Sequence, residues 1–296
     1  MHKKITSETV SKKINFSKGL YIVSTPIGNR YDITIRAIMV LQASNTLVCE
    51  DTRVTKKLFK LLNLDIKEKK WISYNDHSPE TKKNAILEEL KLTKIVSLVS
   101  DAGTPLISDP GYKLINYVIN AGYKIYSIPG PCSAISSLVI SGLKTDKFSF
   151  IGFLPKNKNN YIKVIKEFSI LKSTLILYEK ANRIDFLLNL LNNNFTSFKL
   201  VIVRELTKLY EDTIYITKDN IKKFLEPKLN LKGEITVLLE INSSINKVYT
   251  NSELSKELKK LKPSQVSAML AKNSLEDRST IYKRCVKLLN KNDSKN

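Results

Sequence analysis

The fold class is decided by the stretch GLYIVSTPIGN at residues 19–29. Its first six residues predict a short buried strand, and the loop Thr25–Asn29, which contains proline and glycine, ends that strand. The segment Asp32–Ala43 follows with apolar residues at helical spacing. Because the order of short strand, polar loop and helix recurs up to residue 128, the sequence predicts an α/β fold with a largely parallel sheet in this part of the chain.

A second set of strands and helices continues to about residue 242. Further strands are predicted at residues 46–50, 71–74, 94–100, 124–128, 148–153, 174–178, 200–204, 210–216 and 234–241. Helices are predicted at residues 54–62, 80–92, 110–121, 133–141, 161–171, 182–192 and 218–225. We expect four segments: a flexible N-terminal arm (1–18), an N-terminal α/β domain (19–130), a C-terminal α/β domain (131–242) and a basic helical tail (252–290).

The composition fits a folded chain in a reducing compartment. Of its 296 residues, 42% are hydrophobic, which excludes a mainly disordered protein. No apolar run approaches the ~18 residues of a membrane helix, and the N-terminus lacks the apolar region of a secretory signal. The three cysteines show no paired spacing, so we expect no disulfides and a cytoplasmic location. Only two histidines occur, which excludes a His-rich metal site.

The net charge of +21 supports two interpretations. It is the electrostatic footprint expected of a protein that binds a polyanion such as nucleic acid. It is also what codon bias in an AT-rich genome would place on solvated surfaces, since 42 of the 49 basic residues are lysines. The seven arginines are more informative, because arginine offers a planar bidentate fork that lysine lacks. Arg53 and Arg204 could bind a phosphate or a carboxylate, or form structural bridges with Glu50 and Glu205.

Three loops rich in glycine and proline are predicted where strands end, at residues 25–29, 100–105 and 129–133. In open α/β sheets, ligands bind beyond the carboxyl ends of the strands. Asp101 in the second loop could accept a hydrogen bond from a ribose hydroxyl or an ammonium group. None of the loops carries a classical nucleotide-binding fingerprint, and each alone is equally typical of a tight turn. Three such loops in a chain with nine glycines favour a ligand site.

Two polar pairs, Glu50-Asp51 and Asp76-His77, also follow predicted strands. Either pair could supply a general base or hold a substrate. Both pairs have a structural alternative as well. Glu50-Asp51 could form an N-cap with an acidic first turn, and Asp76-His77 could form a turn with an Asx cap.

Seven motifs occur in the order of a known family. They are Leu20–Asn29 with Asp32–Thr34, Glu50–Arg53, Val99–Pro105 with Ile107–Gly111, Pro129–Ala134, Gly152–Pro155, Arg204–Lys208 and Lys232–Glu234. Together they resemble the bacterial ribosomal RNA small subunit methyltransferase I family, which belongs to the tetrapyrrole methylase superfamily. The resemblance covers residues 19 to 242, and its most specific motif is VSDAGTP at Val99–Pro105. Two positions depart from the family's pattern: Arg30, where an apolar residue is common, and Asn75, where histidine is frequent.

The resemblance implies two α/β domains, with S-adenosylmethionine in the cleft between them, and a homodimer. The implied reaction is methylation of the ribose 2′-hydroxyl of a cytidine, position 1402, in the decoding region of 16S rRNA. The implied partner is therefore that RNA or the small ribosomal subunit. The cofactor-binding residues carried over from the family are Pro26, Gly28, Asp101, Ala102, Gly103, Thr104, Cys132, Ser133, Ala134 and Tyr178.

The implied chemistry needs few groups. The methyl group on a sulfonium is already activated, so transfer requires alignment and a base for the hydroxyl proton, and no metal. The candidate bases, left unranked, are Asp76, His77, Glu50 and Asp51. The candidate substrate-binding residues are Arg53, Arg204 and Lys208.

The basic tail is expected to dock RNA through helices at residues 264–270 and 281–288. From residue 252 onward it carries 11 basic and 5 acidic residues, a net charge of +6. A dimerising or merely capping helix pair is the alternative. Two other functions stay open for the whole chain: methylation of a tetrapyrrole or another small substrate on the same scaffold, and non-catalytic RNA binding in ribosome assembly.

Overall fold

The computed structural model describes residues 16–92, 95–226, 229, 231–241, 248–271, 274 and 276–293. Most of the predicted arm (1–18) lies outside these residues. By its contacts the chain divides into two compact units, residues 1–136 with 205–211 and residues 137–204 with 212–296. The predicted domain boundaries stay predictions. None of the described helices is long and apolar enough to cross a membrane.

The first unit contains a five-stranded parallel sheet. Its elements are β1 (Gly19–Val23), α1 (Ile35–Ala43), β2 (Thr46–Cys49), α2 (Thr52–Leu61), β3 (Lys70–Ser73), α3 (Glu80–Leu92), β4 (Ile95–Val99), α4 (Tyr112–Asn120) and β5 (Ile125–Ile128), and α5 (Ser133–Ile140) follows. The strand order is β3-β2-β4-β1-β5, and every neighbouring pair is parallel. The parallel sheet predicted from the alternation of strands and helices is confirmed here.

Helices cover both faces of this sheet, because its strands carry apolar residues on both sides. On β1, Leu20 points to one face and Tyr21 to the other. Phe59 of α2 packs in the cluster on the Tyr21 face, and Ile86 of α3 packs in the cluster on the Leu20 face. Since all five strands run in the same direction, their carboxyl ends and the loops that follow them lie at one edge of the sheet.

The second unit contains a mixed sheet. Its elements are β6 (Phe148–Phe153), α6 (Lys158–Ser169), β7 (Thr174–Lys180), α7 (Ile184–Asn194), β8 (Phe198–Arg204), β9 (Asp212–Thr217), α8 (Lys222–Leu225) and β10 (Glu234–Ile241). The strand order is β6-β7-β10-β8-β9; β6 and β7 are parallel, and the other three neighbouring pairs are antiparallel. The largely parallel sheet was predicted from residues 19–128, and the mixed pairing of this second sheet lies outside that prediction. β8 and β9 are joined by a short loop instead of a helix, which permits antiparallel pairing.

Three helices end the described chain: α9 (Asn251–Leu258), α10 (Pro263–Leu270) and α11 (Arg278–Asp293). Thr250 begins α9 with a capping box, in which its side chain and that of Glu253 each bind the other's backbone N–H. The three helices share a small apolar core of Leu254, Val266, Leu270, Ile281 and Cys285. The helical character predicted for the tail is confirmed.

Candidate active site

Two of the predicted loops are joined at the carboxyl-end edge of the first sheet. Thr25 N–H donates to the Gly103 carbonyl at 2.8 Å, and Gly103 N–H donates to the Thr25 carbonyl at 3.1 Å. Gly103 has a φ of +79°, which side chains rarely adopt. A Cβ there would also lie 3.2 Å from Ile27 Cγ2. This close approach of the loops after β1 and β4 therefore requires glycine.

Hydrogen bonds of two hydroxyl groups join the third loop, after β5, to the other two loops. Ser24 Oγ lies 3.0 Å from Thr104 Oγ1, and Thr104 Oγ1 donates to the Pro131 carbonyl at 2.9 Å. A Cβ at Gly130 would lie only 2.8 Å from Ser24 Cβ. The three loops, residues 24–29, 100–105 and 129–134, thus form one connected backbone surface, which we call the loop cradle.

Most of the residues predicted to bind the cofactor lie on the loop cradle. They are Pro26, Gly28, Asp101, Ala102, Gly103, Thr104, Cys132, Ser133 and Ala134. The last two of these are the first residues of α5, and the Cys132 carbonyl accepts from Ser136 N–H at 2.9 Å. Tyr178 lies on β7 in the second unit, where its ring packs against Phe150 and Phe153 with centroid distances of 5.1 and 5.6 Å.

A reciprocal pair of hydrogen bonds joins the loop after β2 to the loop after β4. Asp51 N–H donates to Asp101 Oδ1 at 3.1 Å, and Asp101 N–H donates to Glu50 Oε2 at 3.4 Å. Burial raises the pKa of both Glu50 and Asp101, and the negative charge of Asp51 raises both further. A carboxylate with a raised pKa is a stronger proton acceptor, so Glu50 has an environment suited to a base.

Asp51 has the opposite environment. Its carboxylate caps α2 by accepting from Arg53 N–H at 2.8 Å, and it pairs with the guanidinium, with Arg53 Nη2 2.6 Å from Asp51 Oδ2. These hydrogen bonds from Arg53 lower the pKa of Asp51 to about 2. The structural alternative, an N-cap, is confirmed. The Arg53 side chain is 89% exposed, so it stays accessible to a ligand while it contacts Asp51.

Asp76 and His77 occupy the loop after β3. Asp76 Oδ1 accepts from Gly111 N–H at 3.1 Å, and Gly111 is the N-cap residue of α4. Asn75 Oδ1 accepts from His77 N–H at 3.0 Å, which makes the Asx turn of the structural alternative, although Asn75 forms it rather than Asp76. His77 is exposed. Asp76 therefore fixes the start of a helix, and its role as a base stays a prediction.

Asp109 belongs to the same carboxylate group, and sequence reasoning did not select it. It forms a hydrogen bond with Ser100, and burial raises its pKa to about 6, assisted by the charges of Glu50 and Asp101. Leu106 and Ser108, which precede it in the same loop, have φ values of +73° and +67°. Such strained positions persist only where the surroundings impose them, and they concentrate at functional sites. The available signal was the motif Ile107–Gly111, which contains Asp109.

The segment of residues 205–211 leaves the second sheet and packs in the first unit, against the loop after β1. Asn29 N–H donates to Thr207 Oγ1 at 3.1 Å. A Cβ at Gly28 would lie 2.6 Å from both Thr207 Oγ1 and Lys208 Cγ. Lys208 Nζ pairs with Glu205 Oε1 at 3.0 Å. The predicted substrate residue Lys208 therefore lies beside the predicted cofactor residue Gly28.

Arg204, the third predicted substrate residue, is at the end of β8 in the second unit. Its side chain is 24% exposed, and Nη2 lies 3.9 Å from Asp212 Oδ2. Its Nε is buried without a hydrogen-bond partner among the described residues. In the part of the chain that the structure describes, no cluster of three or more His, Cys, Asp or Glu side chains is placed to hold a metal ion.

Comparisons with known proteins agree with this architecture. The family model "Tetrapyrrole (Corrin/Porphyrin) Methylases" matches residues 19–221. The ribosomal RNA small subunit methyltransferase I of Rickettsia prowazekii is 43% identical over 235 residues, 79% of this chain and 82% of that protein. The protein of the same name from Halalkalibacterium halodurans is 40% identical over 227 residues, 75% of this chain and 76% of that protein. The uroporphyrin-III C-methyltransferase of Thermus thermophilus, solved with S-adenosyl homocysteine, is 15% identical with a TM-score of 0.51, over 75% of this chain and 97% of that one. This last likeness shows the fold, and the expected tetrapyrrole methylase-like fold is confirmed.

Proposed function

The chain belongs to the ribosomal RNA small subunit methyltransferase I family, within the tetrapyrrole methylases, and on this premise we propose that it methylates the ribose 2′-hydroxyl of a cytidine in 16S rRNA. It is an enzyme, a methyltransferase that depends on S-adenosylmethionine. The proposed nucleotide is the cytidine of the decoding region that the motifs imply. The observation that carries the proposal is the loop cradle, in which loops after three parallel strands are tied together by Thr25, Gly103 and Thr104.

The loop cradle fits S-adenosylmethionine in its chemistry. When bound, this cofactor supplies a methyl group activated by a positively charged sulfur. Asp101 would hold a ribose hydroxyl or the ammonium group, because a carboxylate accepts hydrogen bonds from either. Gly103 and Gly130 let the three loops pack closely enough to present their backbone groups on one surface. Ser133 and Ala134 lie in the first turn of α5, where backbone N–H groups favour a carboxylate.

We assign the proton acceptor to Glu50. Its Oε2 accepts from Asp101 N–H, and its Oε1 has no hydrogen-bond partner among the described residues, so Oε1 can receive the proton of the 2′-hydroxyl. The raised pKa of Glu50 increases its basicity. Asp76 acts as a positioning residue through its hydrogen bond to Gly111 N–H. Transfer also requires that the 2′-hydroxyl is aligned with the methyl group, and the residues that bind the RNA must provide this alignment.

Arg53 and Lys208 are the proposed contacts to the RNA backbone. Arg53 is exposed beside the loop that carries Glu50, and Lys208 lies beside Gly28 of the loop cradle. Arg204 stays a proposed contact as well, supported by its buried Nε, which has no partner among the described residues. Guanidinium groups suit phosphate because they offer two parallel donors.

We also propose a homodimer and a cytoplasmic location. The apolar side chains of Ile135, Val139 and Ile140 on α5 are exposed, Val139 to 73%. Exposed apolar side chains grouped on one helix favour an interface with another protein. The three cysteines Cys49, Cys132 and Cys285 are free thiols, as suits a reducing compartment.

Transfer of a labelled methyl group tests the proposed function directly. Purified protein and labelled S-adenosylmethionine are incubated separately with small ribosomal subunits, with free 16S rRNA and with a tetrapyrrole precursor. We expect label on the RNA, in a nucleoside that digestion identifies as 2′-O-methylcytidine. Label on the tetrapyrrole alone would support the small-substrate alternative, and RNA binding without label would support an assembly factor.

The assignment of Glu50 is tested by three single variants. Glu50→Gln keeps an oxygen that can accept from Asp101 N–H, so cofactor affinity should persist while turnover falls at least ~100-fold, the scale of general base catalysis. His77→Ala should keep near-normal turnover, because its side chain is exposed. Asp76→Asn should retain part of the activity, since the amide oxygen can still accept from Gly111 N–H. Normal turnover in Glu50→Gln would overturn the assignment.

A further inference from the structure

Helix α11 has one buried face and one exposed face. Ile281 and Cys285 are fully buried in the apolar core shared with α9 and α10. On the other side, Tyr282 is 45% exposed, and Lys283 and Lys287 are exposed next to it. An exposed aromatic ring close to two exposed lysines differs from a merely solvated surface, because the ring is left outside the core.

The exposed face of α11 borders two hollows in the surface of the second unit. The smaller, of about 410 Å³, is lined by Tyr282, Lys283, Val286, Lys287 and Asn290. The larger, of about 790 Å³, lies between α6 and the helices α10 and α11, and its cations are Lys163, Lys166 and Arg278. Tyr282 lines both hollows, so they adjoin at its side chain, and we call the two hollows together the track.

The cations of this track are largely free for a ligand. Arg278, Lys283 and Lys287 form no ion pair with any carboxylate in the described parts of the chain. Lys166 is only 8% exposed, and its Nζ donates to the Ala271 carbonyl at 3.1 Å, which holds α6 against the tail. Lys163 lies 3.9 Å from Glu167, a loose surface pair.

The two acidic residues that line the larger hollow are already engaged. Glu276 pairs with Arg284, which also donates to the Tyr249 carbonyl at 2.7 Å. The Asp277 carboxylate caps α11 by accepting from Thr280 N–H at 2.7 Å. Asp277 keeps its negative charge, but the lysines and the arginine that line the two hollows outnumber the two acidic residues, so the net charge of the track is positive.

We propose that the track over Tyr282 binds a single-stranded segment of the RNA substrate, with phosphates at Lys283, Lys287 and Arg278 and a base stacked on the Tyr282 ring. This inference rests on the proposed function, which supplies the RNA, and adds to it a contact region on the second unit. From Arg278 to Lys287 the helix spans ~14 Å. Cations that follow a strand and an aromatic ring that stacks a base are the elements of sequence-tolerant single-strand binding.

Binding of a fluorescent single-stranded RNA of about 20 nucleotides, measured by anisotropy, tests the proposal. Tyr282→Ala should weaken binding about fivefold or more, whereas Tyr282→Phe, which keeps the ring, should stay within about twofold of the parent. The double variant Lys283→Gln with Lys287→Gln should lower the slope of log K against log salt by about 1.4, since each phosphate contact on a single strand contributes ~0.7.

The matched control is Lys259→Gln with Lys260→Gln, which removes the same charge from two exposed lysines just after α9. Equal loss of affinity and slope in both double variants would overturn the proposal, because it would indicate diffuse attraction. Unchanged RNA binding with weaker binding to small ribosomal subunits would also overturn it, in favour of a protein contact. Methyl transfer by the parent protein is measured in parallel. If the parent protein transfers no methyl group to RNA, the proposed function is wrong. If the parent protein is active but the Tyr282 and lysine variants bind RNA as tightly as the parent does, only the proposed track is wrong.

Discussion

The two sheets contain five strands each but distribute their loops differently. In the first, all neighbouring strands are parallel, so the loops after the strands lie at one edge, where Thr25, Gly103 and Thr104 tie them together. In the second, three of the four pairs are antiparallel, so the loops leave from both edges. The comparison teaches that strand direction decides which sheet can gather polar loops into one surface.

The sheets also differ in where their charged side chains lie. Glu179 on β7 has a fully buried side chain, which accepts from Tyr161 OH at 2.8 Å and lies 3.5 Å from Arg183 Nε. Glu50 and Asp101, at the edge of the first sheet, are at least partly exposed. The second sheet thus uses a carboxylate for stability, and the first keeps carboxylates where a ligand can reach them.

The largest expected effect comes from removing the cation of the ion pair between Arg183 and the buried Glu179 in the second unit. Arg183 also donates to the carbonyls of Leu154 and Pro155, at 3.2 and 2.7 Å. Arg183→Met would leave Glu179 without its cation, and we expect a loss of about 3 to 5 kcal/mol in the free energy of unfolding. Urea unfolding followed by far-UV circular dichroism measures this loss. Fluorescence of Trp71, the single tryptophan, reports the first unit and should change less.

The control for this variant is an exposed pair in the first unit. Lys91 Nζ lies 2.6 Å from Glu88 Oε1, and both side chains are more than half exposed. Lys91→Met should leave the unfolding midpoint nearly unchanged, because solvent screens such pairs. Equal effects of the two variants would contradict the difference drawn between the sheets.

The helices and strands were predictable because their signals are local. Apolar spacing predicts a helix at residues 80–92 and strands at 148–153 and 234–241, and α3, β6 and β10 have these bounds. The antiparallel pairing of β10 with β7 and β8 was not predicted, because it depends on which strands meet across the chain. The motifs located the loops of the site, but no local pattern shows that these loops bond to one another.

Asp109 shows why part of the site could not be predicted from the sequence. It lies ten residues after β4 ends, in a loop that turns back through the left-handed residues Leu106 and Ser108. Its burial and its proximity to Glu50 are products of that turn. Asp51 shows the reverse case, since the local contact with Arg53 N–H confirms the predicted N-cap, whereas a role of Asp51 as a base stays a prediction.

The second prediction tests whether the buried carboxylate of Asp109, at the edge of the first sheet, lowers the free energy of unfolding. Because the pKa of Asp109 is raised from 3.8 to about 6, the native state binds more protons than the unfolded state between these values. The stabilising contribution of the protonated Asp109 carboxyl is therefore complete below pH 3.8 and is lost as the pH rises through about 6. Asp109→Asn, which removes the buried charge, should raise the free energy of unfolding by about 2 kcal/mol near pH 7.5 and hardly change it near pH 3.5.

Urea unfolding followed by Trp71 fluorescence at both pH values measures the effect of Asp109→Asn. The same variant should lose activity if Asp109 serves the site, as expected where function and stability conflict. A gain in stability of the same size at both pH values would show that the charge of Asp109 is not its source.

The third prediction concerns the close packing of the loop cradle. Gly130→Ala places a Cβ 2.8 Å from Ser24 Cβ and must push the loop after β5 away from the loop after β1. We expect affinity for S-adenosylmethionine to fall about tenfold, a change of about 1.4 kcal/mol, measured by calorimetry. Gly142 in the second unit is the control, because a Cβ there meets nothing within 4 Å. Its φ of +68° predicts that Gly142→Ala lowers stability without changing cofactor affinity.

The smallest expected effect separates a substrate contact from a structural pair. Arg53 is 89% exposed and pairs with Asp51, the cap of α2. Arg53→Ala should leave the melting temperature nearly unchanged, because Asp51 keeps its capping hydrogen bond from the backbone N–H of residue 53. If Arg53 binds phosphate, KM for the RNA should rise about threefold, with kcat and cofactor affinity preserved. Arg53→Lys should recover only part of this loss, since an ammonium cannot form the paired contact. A fall in kcat at constant KM would instead place Arg53 among the groups that act during methyl transfer.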